Sequence, residues 1–242
     1  MLVIPAVDLL DGRCVRLLRG DFERATSYSD DPLSVARQFA AGGARRIHVV
    51  DLDAARDAFG NGEAVENIVR GVEVEVEVAG GVRSEADAAR WFDVGAAVVV
   101  IGTLAAEEPA LAAGLAERYP GRVSVAFDMR AGSVSTHGWE KAAGATLEDL
   151  LEVLDKAPLE SYIYTDIERD GTLQGPNLNG LVALIKRSRH GVVLSGGVSS
   201  MEDVRRANAA GAAGVILGRA LYEGKLSLGE ALAAAGQSKS RG

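Results

Sequence analysis

Short apolar runs alternate along the chain with longer stretches in which apolar and polar residues mix at helical spacing. Eight runs stand out: Leu2–Val7, Arg46–Val50, Val74–Ala79, Ala97–Ile101, Arg122–Phe127, Ser161–Tyr164, Gly191–Leu194 and Gly214–Leu217. Several are continuous rather than alternating, as in Val98-Val99-Val100-Ile101. Continuous β-branched runs suit parallel strands buried on both faces. Helix signals fill the intervals. Asp31-Pro32 supplies an N-cap followed by Pro at the first helical position, and Gly42-Gly43 ends that helix. Ser84-Glu85-Ala86-Asp87 and Thr146-Leu147-Glu148-Asp149 read as capping boxes with Asp in the Glu position. Further helices are expected over 63–70, 85–94, 107–118, 147–156, 178–188, 201–210 and 227–235. The pattern is a strand followed by a helix, eight times, with no linker between. That predicts an α/β fold, a single (βα)8 TIM barrel over 1–242. A doubly wound open sheet is the alternative arrangement of the same units.

An internal repeat favours the barrel. Ala79-Gly80-Gly81-Val82 returns 116 positions later as Ser195-Gly196-Gly197-Val198. Gly95-Ala96-Ala97 and Ile101-Gly102-Thr103 return at the same offset as Gly211-Ala212-Ala213 and Leu217-Gly218-Arg219. Asp8 and Asp128 each close the first strand of a half, and Asp51-Leu52-Asp53 corresponds to Asp166-Ile167-Glu168. Two homologous half-barrels are expected, about 1–120 and 121–236, with a loose tail at 237–242. A half-barrel alone would leave open sheet edges, so the halves should close on each other.

Composition narrows the functional classes. The chain has 26 basic and 34 acidic residues, a net charge of −8, which argues against a nucleic-acid partner. One cysteine, Cys14, makes no internal disulfide and fits a reducing cytoplasm. The three histidines, His48, His137 and His190, show no metal-ligand spacing, so no metal site is expected. No apolar run approaches the roughly 20 residues that cross a bilayer, and the N-terminus reads unlike a signal peptide. Nothing calls for an obligate protein partner, and a monomer is the simplest expectation. With 29 glycines and 6 prolines, many glycines must sit in turns or where backbone approaches a ligand.

Active sites of (βα)8 barrels lie at the C-terminal ends of the strands. There this sequence places carboxylates and glycines: Asp8, Asp51, Gly80-Gly81, Gly102-Thr103, Asp128, Thr165-Asp166, Gly196-Gly197 and Gly218-Arg219. Gly80-Gly81 with Gly102-Thr103, and Gly196-Gly197 with Gly218-Arg219, form two equivalent sets of backbone N–H groups with no Cβ to block an oxyanion. Two such sets predict a ligand with a phosphate at each end. Asp8 and Asp128 should face each other between them, as general base and general acid in either order. Arg16 and Arg19, in the excursion after the first strand, suit phosphate or carboxylate contacts, and Arg83 follows a glycine pair. His48 reads as packed or supporting rather than catalytic. The long segments 16–30 and 129–145 are candidates to close over the ligand. No nucleophile motif or zinc motif is present, so acid–base chemistry without a cofactor is the simplest reading.

The motifs resemble those of the ProFAR isomerase family of histidine biosynthesis over essentially the whole chain. The resemblance rests on Ile4-Pro5-Ala6-Val7-Asp8-Leu9, Asp11-Gly12-Arg13-Cys14-Val15-Arg16-Leu17, His48-Val49-Val50-Asp51-Leu52-Asp53 and Gly80-Gly81-Val82-Arg83. It continues through Gly138-Trp139, the Thr165–Thr172 segment, Ser195-Gly196-Gly197-Val198 and Gly218-Arg219-Ala220-Leu221. It implies a bisphosphorylated ribonucleotide substrate, no cofactor, and an Amadori rearrangement of an aminoaldose to an aminoketose. It also implies that Asp8 removes the C2 proton, that Asp128 protonates the furanose oxygen, and that Thr165 bonds near the reacting sugar. Trp139 would stack on the imidazole carboxamide, and Asp166 and Gly171 would join the substrate-binding set. Two related activities compete. The sister cyclase usually carries Cys before its first-strand Asp, where this chain has Pro5-Ala6-Val7-Asp8. Dual-substrate isomerases that also take phosphoribosyl anthranilate carry in some cases Arg two residues before the loop Trp, where this chain has His137.

Overall fold

Strand β1 (Leu2–Leu10) turns at Asp11-Gly12 into β2 (Arg13–Leu18), which turns at Arg19-Gly20 into β3 (Asp21–Ser29). This computed structural model describes residues 1–56 and 60–237. The chain continues through α1 (Pro32–Ala41), β4 (Arg46–Asp51), α2 (Leu52–Ala55), α3 (Gly62–Gly71), β5 (Glu75–Ala79), α4 (Glu85–Val94) and β6 (Val98–Ile101). Next come α5 (Thr103–Glu107), α6 (Pro109–Arg118), β7 (Val123–Arg130), β8 (Ser133–Thr136), β9 (Lys141–Ala142), α7 (Leu147–Leu154) and β10 (Ser161–Asp166). The last elements are α8 (Leu178–Arg187), β11 (Val192–Ser195), α9 (Met201–Ala209), β12 (Gly214–Leu217), α10 (Arg219–Tyr222) and α11 (Leu228–Ala234).

The strands β1, β4, β5, β6, β7, β10, β11 and β12 pair in parallel and close on themselves. Leu2 pairs with Gly214 at one junction, and Thr165 pairs with Asp128 where β10 meets β7. The result is an eight-stranded parallel barrel with helices between strands, the TIM-barrel architecture. Strand alternation sorts side chains between two cores. Ile4, Ala6, Ala79, Val100, Ile163, Val193 and Ile216 pack inside the barrel. Val3, Val7, Leu9, Ile47, Val49 and their equivalents pack outward under the helices. The helices answer with one apolar stripe each, such as Val65, Ile68 and Val69 on α3.

The expected helices over 63–70, 85–94, 147–156, 178–188, 201–210 and 227–235 correspond to α3, α4, α7, α8, α9 and α11. The helix expected over 107–118 is two helices, because Pro109 lacks an amide hydrogen and pushes Glu108 out of helical geometry (φ −132°, ψ 63°). Thr146 and Asp149 make the full capping box. At Ser84 only half forms, since the Asp87 carboxylate takes the Arg83 amide and the Ser84 hydroxyl. The segments 16–30 and 129–145 are not plain loops. β1–β2–β3 and β7–β8–β9 are antiparallel extensions above the barrel, built with two-residue turns at Asp11-Gly12, Arg19-Gly20 and Ala131-Gly132. Both residues of each turn have positive φ, the handedness that matches strand twist in a hairpin. Of the tail at 237–242, residues 238–242 lie outside the described residues.

Candidate active site

The C-terminal mouth of the barrel holds one deep cavity, and Asp8, Asp128 and Thr165 all open onto it. All three point inward because they share strand parity with Ala6, Ala126 and Ile163 beneath them. Asp8 is paired with Arg16 of β2, which is only 7% exposed. The hairpin register sets this pair, since Asp8 lies opposite Val15. The Arg16 guanidinium also donates to the Ala6 carbonyl and lies 4.8 Å over the Tyr222 ring. Burial opposes the Arg16 charge most strongly, but Asp8, Tyr222 and Cys14 together outweigh it and push the guanidinium further up. Arg16 thus finds a carboxylate within the protein, while its Cζ also lies 3.1 Å from where a Cβ on Gly218 would sit.

Asp128 has a different environment. Burial pushes its carboxyl up, while Trp139 and Thr165 as hydrogen-bonding partners, and the charge of His48, pull it partly back. A third carboxylate, Asp170, lies in the loop after β10 and lines the same cavity. Burial first, and then the like charges of Asp8 and Asp128, push it up to about 7, with Arg16 pulling the other way. The sequence reading missed Asp170 as a site residue. It sits in the Thr165–Thr172 motif but not at a strand end, so only the loop path reveals its place.

The two glycine sets lie on the cavity wall: Gly80, Gly81, Gly102 and Thr103 in one, Gly196, Gly197, Gly218 and Arg219 in the other. Gly80 has φ +93°, and a Cβ there would sit 2.1 Å from the Asp51 carbonyl oxygen. No other residue fits that turn without moving β4. Gly196, at φ +82°, holds the equivalent turn in the second set. Each pair leads into a helix capped by serine, Ser84 before α4 and Ser200 before α9, whose N-terminal ends favour anions. The Thr103 hydroxyl accepts the His137 amide at 2.9 Å.

Other expected residues divide. Trp139 and Gly171 line the cavity. Trp139 packs on Gly20, joining the two antiparallel extensions. Arg83 and Arg219 line it too, but their guanidinium groups hold loop carbonyls: Arg83 that of Ala54 at 2.9 Å, Arg219 that of Gly171 at 2.8 Å. Arg19 is a correction. It occupies a tight-turn position (φ 55°), is exposed, and is not on the cavity wall, because the turn directs it away. Asp166 is a second correction. One residue past Thr165, it has the opposite parity and bonds the Asn177 amide at 2.7 Å outside the cavity. Asp51 likewise turns outward onto Asn61, 2.8 Å away. Those two Asp–Asn links tie loops together at equivalent places and were not foreseen. His48, expected to be packed or supporting, is buried and reaches the cavity from inside the barrel. Among the described residues no cluster of side chains suits a metal ion.

Comparison with known proteins agrees with this geometry. The model of the histidine biosynthesis protein family matches residues 2–227. Similar relatives are named 1-(5-phosphoribosyl)-5-((5-phosphoribosylamino)methylideneamino) imidazole-4-carboxamide isomerase. One from Gloeothece citriformis is 43% identical, over 99% of this chain and 95% of its own. One from Chloroflexus aggregans is 44% identical, over 97% and 98%. One from Rhodospirillum rubrum is 44% identical, over 96% and 98%. A match this long spans both glycine sets, Asp8, Asp128 and the barrel that carries them, and the chain belongs to the histidine biosynthesis protein family.

Proposed function

We infer that this protein is the ProFAR isomerase of histidine biosynthesis, converting the aminoaldose ribonucleotide to its phosphoribulosyl ketose by an Amadori rearrangement. The relatives that carry this activity in their names match nearly the whole chain. The observation that carries the reading is the pairing of Asp8 and Asp128 between two equivalent glycine cradles. Each cradle takes one phosphate of a bisphosphorylated substrate, and the sugar to be opened lies between them. Arg16 and Gly171 complete the wall near Asp8, and the Trp139 ring covers the imidazole carboxamide.

The chemistry needs a proton donor and a proton acceptor. Asp128, whose burial favours its protonated form, gives a proton to the furanose oxygen as the C1–O bond breaks and the adjoining nitrogen supplies electrons. Asp8 then removes the C2 proton from the iminium, giving an enolamine. A proton returned to C1, with loss of the proton from the C2 hydroxyl, leaves the ketone, so the net change is isomerisation. Thr165 holds the reacting sugar beside Asp128. Asp170 supports a second assignment of the acid, because a carboxyl poised at about 7 is still partly protonated near neutral pH. Asp128→Asn and Asp170→Asn, assayed separately for single-turnover ring opening, decide between them.

The repeat offset, the matching glycine turns and the two Asp–Asn links support an origin by duplication of a half-barrel, with residues 1–236 folding as one domain. A monomer acting in the cytoplasm fits this reading. The test is direct: purified protein incubated with ProFAR, and separately with phosphoribosyl anthranilate, without metal, flavin or nucleotide. Ketose from ProFAR is the expected product. Its absence overturns the reading, and imidazole glycerol phosphate formed on addition of ammonia would identify the sister cyclase instead.

A further inference from the structure

Beneath Asp8, Asp128 and Thr165 the cavity floor is aliphatic, with Ala6, Ala79, Val100, Ala126 and Ile163 lining it. His48 breaks that pattern. It reaches the floor from β4, and its Nδ1 lies 2.7 Å from Oε1 of Glu77, its register partner on β5. Glu77 is 1% exposed and lies behind the floor, away from the cavity. Arg46 stands behind it in turn, 3.6 Å from Glu77, 2.8 Å from Glu75 and 2.9 Å from Glu160.

The pairing decides how the imidazole is presented. A carboxylate only accepts hydrogen bonds, so Nδ1 carries the proton and Nε2 is the nitrogen left to the cavity. A buried carboxylate behind a histidine fixes both the tautomer and the ring plane. Stability does not call for this cluster, since well-packed aliphatic side chains usually serve a barrel interior as well as buried charges do. Its placement is informative instead. The floor carries this one imidazole on the same cavity as the two carboxyls of the reaction.

We propose that Glu77 and His48 are positioning residues for the acid–base chemistry. Glu77, backed by Arg46, fixes the imidazole so that Nε2 presents one defined polar contact to the cavity that Asp8, Asp128 and Thr165 share. The proposal rests on the isomerase reading. The groups that share this environment are Asp8 on β1, Arg16 on β2, Arg46 on β4, Glu77 on β5, Thr165 on β10 and Asp170 beyond it.

The experiment combines imidazole nitrogen NMR titrations with steady-state kinetics for the wild type, Glu77→Gln and His48→Gln. His48→Gln leaves the Glu77–Arg46 pair in place and serves if Glu77→Gln fails to fold. In the wild type, His48 should carry its proton on Nδ1, and this preference should be lost in Glu77→Gln. In both variants kcat should fall by about tenfold to a hundredfold, with KM changed less. A wild-type His48 protonated on Nε2 overturns the proposal. So do folded variants with wild-type kcat, the outcome of a merely structural role. The titrations are read without substrate, so a protein that fails to turn over ProFAR sinks the isomerase reading without touching this one.

Discussion

Trp139 lies directly on Gly20: a Cβ added at Gly20 would sit 2.2 Å from ring carbon Cε3. The contact joins the β2–β3 turn to the segment after β8, from opposite sides of the mouth. Gly20→Ala should therefore displace the indole, and its φ of +72° adds about 1–2 kcal/mol of backbone strain. The barrel should stay folded while kcat/KM falls at least tenfold, a change of about 1.4 kcal/mol in barrier. Tryptophan fluorescence, compared with a Trp139→Phe control, reads the displacement directly. An unchanged kcat/KM would show that the indole is not needed where it sits.

The Asp8–Arg16 pair offers a sharper test of geometry. Arg16 serves the carboxylate, the Ala6 carbonyl and the Tyr222 ring with one planar group. Lysine cannot make these contacts together. Arg16→Lys should keep the fold and lose much of kcat. Arg16→Met strands the Asp8 charge and should destabilise by about 3–5 kcal/mol. Thermal unfolding separates the two, and equal melting points for both variants would contradict the ion-pair argument.

The glycine cradles differ in what a methyl group would do to them. At Gly80 a Cβ meets β4 backbone, so Gly80→Ala should impair folding. At Gly102 the nearest atom to a Cβ is the Ala126 carbonyl oxygen, 3.8 Å away, so Gly102→Ala should fold normally. It should still raise KM, by roughly tenfold, because the methyl group stands where a phosphate oxygen approaches the amides. Steady-state kinetics with inorganic phosphate as competitor measures it. A normal KM would remove Gly102 from the phosphate site.

Much of this was legible in the chain. The eight barrel strands announce themselves as short apolar runs, several of them continuous and β-branched, and Asp8, Asp128 and the glycine pairs stand at the ends of those runs. The antiparallel extensions were not read. β3 is largely exposed and lacks an alternating pattern, and two of the three turns put Arg19 or Ala131 in a conformation those residues seldom adopt. Asp11-Gly12 was the one turn signal available. Parity explains the misplaced residues. Asp166 and Asp51 are strand-end carboxylates like Asp128, but a shift of one residue sends them outward. Asp170 depends on the course of a loop, which no periodicity encodes.

Asp170 makes the last prediction a matter of sign. Its carboxyl lies near its usual value in the unfolded chain and at about 7 in the fold. A raised value favours the protonated form in the native state. The favourable contribution is complete at pH below the unfolded value and is lost as pH rises through about 7. Above that, the folded protein holds an unwelcome third negative charge beside Asp8 and Asp128. Asp170→Asn, which cannot ionise, should therefore melt higher than the wild type at pH 8–9, and the gain should shrink steadily toward pH 4. Scans of melting temperature against pH for the two proteins check this. Parallel curves would mean that Asp170 titrates as an ordinary carboxylate and is not crowded by its neighbours.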